Sequence, residues 1–241
     1  MTDRKHFKLA PSEFAYLWNE CARCYYERRH GLAKRPDTPF PGIFNRIEGA
    51  VCGHLDGRSP HDFSALLPDG RVICRQRPVA SGLINVPDHT ATVSLVGRMD
   101  AWARFITGGF GVIDFKVAGH NENLASRYAP QLWSYGYALE HPAKGTLPVS
   151  PVTHLGLFVL ESRSMADLAF QEHNWLLLHL EPQWCPVEPN EPELLAFLGA
   201  VLDVLELPEA PPPDPSCAFC KYRGLSNREE GDVRVEVPVP A

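Results

Sequence analysis

Two C-x-x-C pairs stand near opposite ends of this chain: Cys21-Ala22-Arg23-Cys24 and Cys217-Ala218-Phe219-Cys220. No other feature restricts the fold as much, because four thiolates on one metal ion or cluster would close the chain on itself. Cys21, Cys24, Cys217 and Cys220 therefore read as one site, suited to zinc or an iron–sulfur cluster. A redox role would need a thioredoxin-like strand–helix context, which neither pair has. There are seven cysteines, an odd count, and no apolar stretch follows the opening Met1-Thr2-Asp3-Arg4-Lys5. Both observations predict a cytoplasmic protein rather than a disulfide-built secreted one. Cys52, Cys74 and Cys185 stand apart from the pairs and read as small core residues.

With 241 residues, 44% of them apolar, the chain can bury a core of its own, and its 23 prolines imply many irregular connections. The longest apolar runs, Leu155 to Leu160 and Leu194 to Leu202, fall well short of the ~20 residues a membrane span needs. A net charge of −6 argues against binding nucleic acid by bulk electrostatics, yet residues 1–160 carry +4 and residues 161–241 carry −10. Such asymmetry suits a polyanion-binding face on the basic part, which holds Arg23, Arg28, Arg29, Lys34, Arg35, Arg71, Arg75 and Arg77. It suits ordinary solvated faces equally well. Tyr25-Tyr26 beside Arg28 and Arg29 could stack bases and grip phosphate, or could pack beneath the cysteines.

The hydrophobic periodicity predicts a helix from Ser12 that ends before Gly31, with Phe14, Leu17 and Trp18 on one face. A second helix, Ile43 to Leu55, carries Ile43, Ile47, Val51 and Leu55 as its buried stripe, with Glu48 beside it. Residues 56–90 form a long excursion with one or two short strands. One strand from Thr92 to Ile106 turns at Thr107-Gly108-Gly109 into an antiparallel partner, Gly111 to Val117. A helix from Tyr128 to His141 follows, with Pro130 in its first turn. The nearly continuous apolar run from Val152 to Glu161 predicts a central strand covered on both faces. Leu168 to Leu180 supplies one or two more strands, and Glu191 to Leu207 the last helix. Residues 208–215 are a linker that delivers the second cysteine pair, and residues 226–241 a flexible tail.

The informative stretch is Val112-Ile113-Asp114-Phe115-Lys116-Val117. Alternation puts Asp114 and Lys116 on one face of a strand whose other positions are apolar, and charges there are costly unless paired or metal-bound. Gly97-Arg98-Met99-Asp100 supplies another carboxylate on the preceding strand, and the turn at 107–109 sets Asp100 roughly opposite Asp114. Two carboxylates beside a lysine are what a hard divalent cation and a polarised water need. A salt bridge on a sheet face is the plainer reading of the D-x-K motif by itself. The next helix places Gln131 and Tyr135 four residues apart, on one face.

An acidic residue on a helix, a G-x-x-D strand, a D-x-K strand and a Q-x-x-x-Y helix, in this order, resemble the PD-(D/E)XK nuclease superfamily. The match is with its RecB-like branch, which includes CRISPR-associated exonucleases. The residues carrying it are Glu48, Gly97 with Asp100, Asp114 with Lys116, and Gln131 with Tyr135. The resemblance implies an α/β, restriction-endonuclease-like core, a mixed central sheet flanked by helices. It also implies a cap in which four cysteines join residues 12–35 to residues 208–224, all within one domain, residues 1–225. It implies a DNA nuclease, exonuclease-like on single strands or ends, with partner proteins from a DNA-processing or defence system. Asp100, Asp114, Lys116, Gln131 and Tyr135 would be the catalytic set. Glu48, Asp100, Asp114 and the Phe115 carbonyl would ligate Mg²⁺ or Mn²⁺, with His54 the competitor of Glu48 on the same helix. Lys116 would position or help deprotonate the attacking water and stabilise charge on phosphorus. Gln131 would orient Lys116 or a phosphate, and Tyr135 would contact the strand. The branch often holds a [4Fe-4S] cluster on one early and three late cysteines. Here the split is two and two, and the third late position falls near Ser226, which keeps zinc as the alternative. The competing classes are a non-catalytic nucleic-acid-binding or adaptor protein with the same fold, and a zinc-stabilised interaction module.

Overall fold

The computed structural model describes residues 4–36, 41–119, 121–146, 148–169 and 175–224, so the expected tail lies outside the described residues. The architecture is mixed α/β, with two mixed sheets and four α-helices among the described residues. Its centre is the hairpin of β6 (Ala101–Phe105) and β7 (Phe110–Val117). The turn needs its glycines, since Gly108 and Gly109 adopt φ of 92° and 85°, a region closed to most side chains. β8 (Val152–Ala169) lies parallel to β7, and β9 (Trp175–Val187) lies antiparallel to β8. β2 (Gly70–Ile73) completes a five-stranded sheet in the order β2-β6-β7-β8-β9.

β8 is covered on both faces, as its apolar run predicts. Leu155, Leu157 and Val159 join Val112 under α3 (Leu124–Glu140). Phe158 and Leu160 join Ala101, Ala103, Ile113 and Phe115 on the opposite face, where Leu55 of α2 (Gly42–Leu55) packs. At Gly156 a Cβ would come within 2.5 Å of the Trp184 ring, so any side chain there would displace the indole. β9 runs to Val187, beyond the expected end near Leu180. Pro182 and Pro186 look like terminators, but β9 is an edge strand, where a residue without an N–H is tolerated.

Four expectations need correction. The strand foreseen from Thr92 to Ile106 is two strands, β5 (Thr92–Met99) and β6, with the break at Asp100. β5 belongs to the second sheet, parallel to β1 (His6–Leu9) and antiparallel to β3 (Arg77–Ala80) and β4 (Ile84–Asn85). The apolar pattern runs through the break, so periodicity could not reveal it. The α3 helix starts four residues earlier than expected, placing Pro130 inside it, and the Ser134 hydroxyl donates to the Pro130 carbonyl at 2.7 Å. The first helix is broken: a single 3-10 turn (Pro11–Glu13), a π turn (Phe14–Trp18) and then α1 (Ala22–Arg29). Cys21, extended at φ −167°, makes the break and caps α1 by accepting from the Cys24 N–H. In α2 only Leu55 of the expected stripe is fully buried, and Ile43 is 56% exposed.

α4 (Glu191–Leu205) buries Leu194, Leu198, Val201, Leu202 and Leu205 against α1, β1 and β5. Glu206, just beyond it, accepts from the His89 ring at 2.9 Å, from the Thr90 N–H and hydroxyl, and from the Ala91 N–H. Burial alone would raise its pKa, but these bonds outweigh it and hold the carboxyl at about 2. Because the folded value lies below the ordinary 4.5, its stabilisation is complete above about pH 4.5 and is lost as the pH falls toward 2. Glu206→Gln is expected to lower the unfolding free energy at pH 7 by ~1–3 kcal/mol in denaturant titration, with a smaller gap in acid. No helix among the described residues is long and apolar enough to cross a membrane.

Candidate active site and thiolate centre

The β6–β7 register pairs Ala101 with Ile113, which sets Asp100 across from Asp114 at the kink into β5. The Phe115 N–H donates to Asp100 Oδ2 at 3.1 Å, tying the two strands at that point. Asp114 is only 3% exposed, its Oδ2 ion-paired with Lys116 Nζ and its Oδ1 accepting from Gln131 Nε2 at 2.8 Å. Lys116 also donates to the Phe115 carbonyl at 3.2 Å, so the carbonyl expected to ligate metal faces an ammonium here. Tyr135 donates to the Arg98 carbonyl at 3.0 Å, fixing the end of β5 beside Asp100. Gly97 makes that approach possible, since a Cβ there would sit 3.1 Å from the Tyr135 ring.

Glu48, Asp100, Asp114, Lys116, Gln131 and Tyr135 line one cavity of about 310 Å³. His54 is exposed, while Glu48 reaches this cavity from α2. Burial, then Asp114, pushes Asp100 up to about 7, with Glu48 adding to the effect. Burial also raises Glu48, with Asp114 adding and Lys116 opposing. For Lys116 burial acts downward, but Asp114 and Asp100 overcome it and hold the ammonium above its ordinary value. Three carboxylates thus share the cavity with Lys116 and Arg98, and a divalent metal would relieve the repulsion among them. Among the described residues, however, only the four cysteines bring three or more ligand atoms within 4.8 Å of one another. The carboxylates share the cavity without converging that closely.

Tyr16 and Tyr128 also line the cavity and were not anticipated. Their hydroxyls hydrogen-bond each other, and the Tyr128 ring lies 4.9 Å from Lys116 Nζ. Tyr128, the first residue of the expected helix, sits three residues before Gln131, so the i, i+3 spacing could have revealed it; no local signal marks Tyr16. Cys52 and Cys74 also depart from expectation, because their half-buried side chains meet and line a second cavity that Glu48 borders.

The thiolate centre joins both ends of the chain. Sγ separations are 3.7 Å for Cys21–Cys220, 3.7 Å for Cys24–Cys217 and 3.5 Å for Cys24–Cys220. Burial and the neighbouring thiols raise Cys24 strongly. Cys217 moves the other way: burial opposes ionisation, but the Cys220 N–H and the surrounding thiols outweigh it. Without a cation such a cluster could not carry four thiolates.

Tyr25 and Tyr26 pack beneath the centre, the second of the two expected readings, and the adjacent arginines are engaged with carboxylates. Tyr25 is fully buried against Trp18, and Tyr26 donates to the Leu207 carbonyl at 3.1 Å. Arg28 and Arg29 pair with Glu13, Arg35 with Glu20, and Arg23 and Arg223 with the buried Glu27.

No protein-family model and no curated protein matches this chain. Among solved structures it is similar to the one titled "Crystal structure of SSO0001", with 14% identity over 84% of this chain and 78% of that chain and a TM-score of 0.46.

Proposed function

We propose that this protein is a metal-dependent DNA nuclease with a restriction-endonuclease-like core of the PD-(D/E)XK type. The observation that carries the reading is the meeting of Asp100, Asp114 and Lys116 at the junction of two strands, with Glu48 and Gln131 on the same cavity. An ion pair serving stability alone would not require two further half-buried carboxylates on the same cavity, whose mutual repulsion costs stability without a cation.

In this reading Glu48, Asp100 and Asp114 would hold Mg²⁺ or Mn²⁺, which when bound would lower the pKa of a water and neutralise phosphate charge. Lys116, held protonated by its neighbours, is better placed to stabilise charge on the phosphoryl oxygens than to remove a proton. Gln131 and Tyr135 are positioning residues: one fixes the rotation of Asp114, the other the strand end that delivers Asp100. The test is incubation of purified protein with end-labelled single-stranded and duplex DNA, with Mn²⁺ or with EDTA. Mn²⁺-dependent shortening of the strand is expected. Strand binding with no cleavage under any divalent ion would favour the adaptor alternative.

For the thiolate centre the Sγ separations favour a single tetrahedral ion. Zn–S bonds of about 2.3 Å put the sulfurs of a tetrahedral site about 3.8 Å apart, close to the separations seen. In a four-iron cluster each cysteine binds a different iron, which spreads the sulfurs further. Zinc is therefore the better fit here, and [4Fe-4S] the alternative.

A further inference from the structure

The arginines of the basic half divide into two groups. Those of the N-terminal segment are spent on Glu13, Glu20 and Glu27. By contrast, Arg71, Arg77 and Arg104 make no ion pair among the described residues. The register places Arg71 directly opposite Arg104 on β2 and β6, and both are exposed. Like charges in that position destabilise a sheet unless something anionic lies across them.

These residues share a face with the candidate site. Arg104 pairs with Phe110 and Trp102 with Val112, and β7 continues on the same face through Asp114 to Lys116. The packing agrees, because Trp102, Phe110 and Val112 contact the core under α3 while Ala103 and Ile113 contact the core under α2. Arg77 lies over the Trp102 ring at 5.3 Å, and the Trp102 and Phe110 rings are 5.6 Å apart. A guanidinium held on an indole keeps its N–H edge free for phosphate. From Arg104 to Asp100 the strand spans about 13 Å.

We propose that Arg71, Arg104 and the Arg77–Trp102 pair form a binding track that leads a single DNA strand along the sheet face to the Asp100–Asp114–Lys116 cavity. The assignment rests on the nuclease reading of that cavity. The arginines take the phosphates, and the half-buried Trp102 and Phe110 give the track its apolar floor.

The test measures binding of a labelled oligothymidine by fluorescence anisotropy in EDTA over a range of salt, for wild type, Arg71→Ala/Arg104→Ala and Arg71→Lys/Arg104→Lys. The alanine pair is expected to bind on the order of tenfold more weakly, with a log–log salt slope smaller by roughly 1.4, at ~0.7 per phosphate contact on single strands. The lysine pair is expected to keep most of the slope. Because the two charges repel, the alanine pair should melt no lower than wild type. Wild-type affinity and slope in the alanine pair would overturn the track. So would a wild type that cleaves DNA while the oligothymidine shows no salt-dependent binding. Strand binding that depends on these arginines, without cleavage by the wild type, would remove the nuclease reading and leave the track standing.

Discussion

Asp114→Asn is expected to abolish Mn²⁺-dependent strand cleavage and to destabilise the protein at the same time. The asparagine can still accept from Gln131, so the change acts through charge. It leaves the Lys116 ammonium buried without its partner, a loss of ~3–5 kcal/mol for a buried pair broken on one side. Lys116→Met should cost at least ~100-fold in cleavage, by analogy with the loss of one preorganised charge-stabilising donor. The double variant Asp114→Asn/Lys116→Met separates stability from chemistry. It should recover most of the lost stability in denaturant titration, since neither charge remains, yet stay inactive. A double variant that regains cleavage would assign these residues to the fold and move the chemistry elsewhere.

The same site predicts a signal that needs no turnover. Mn²⁺ at about 100 times its Kd should stabilise wild type by ~2.7 kcal/mol, read as a higher melting temperature, and should leave Asp114→Asn unmoved. Asp100 titrates at about 7 in the metal-free protein and must be ionised to ligate. The Mn²⁺ effect should therefore be larger at pH 8 than at pH 6. Equal shifts at both would exclude Asp100 as a ligand.

Much of this site was legible in the sequence because strand alternation and hairpin register are local rules. Placing the turn at Gly108-Gly109 sufficed to bring Asp100 opposite Asp114, and the i, i+4 spacing sufficed to put Gln131 and Tyr135 on one helix face, where they meet Asp114 on β7 and the Arg98 carbonyl on β5. What failed were features decided by tertiary contacts. The Asp100 break exists because β5 leaves for another sheet. Pro130 sits inside α3 because packing on β8 outweighs one missing helix bond. Tyr16 reaches the cavity from the π turn Phe14–Trp18, a local geometry that the hydrophobic pattern does not mark. The basic N-terminal run reads as a phosphate grip in sequence, but Glu13, Glu20 and Glu27, distant in sequence or a helical turn away, pair with it.

Cys24→Ser tests what the thiolate centre does for the rest of the chain. Cys24 is buried beside Cys217 and Cys220, and Cys217 belongs to the same apolar cluster as Tyr25, Leu198 and Leu202. If the four cysteines hold an ion, its release should free the 208–224 segment from α1 and withdraw Arg223 from the buried Glu27 carboxylate. A loss of ~3 kcal/mol is expected, about the effect of breaking a buried ion pair on one side, which for a chain of this size lowers the melting temperature by roughly 6–12 °C. Limited proteolysis should begin within 208–224. Because Tyr16 lines the cavity and stands five residues before Cys21, cleavage should fall with stability even though no cysteine touches the carboxylates. Elemental analysis of wild type decides the ion: one zinc per colourless chain fits the Sγ separations, whereas iron with absorbance near ~400 nm would mean the sulfurs spread to hold a cluster. A Cys24→Ser protein that keeps its metal, melting temperature and protease resistance would show that the two ends are held by their apolar contacts alone.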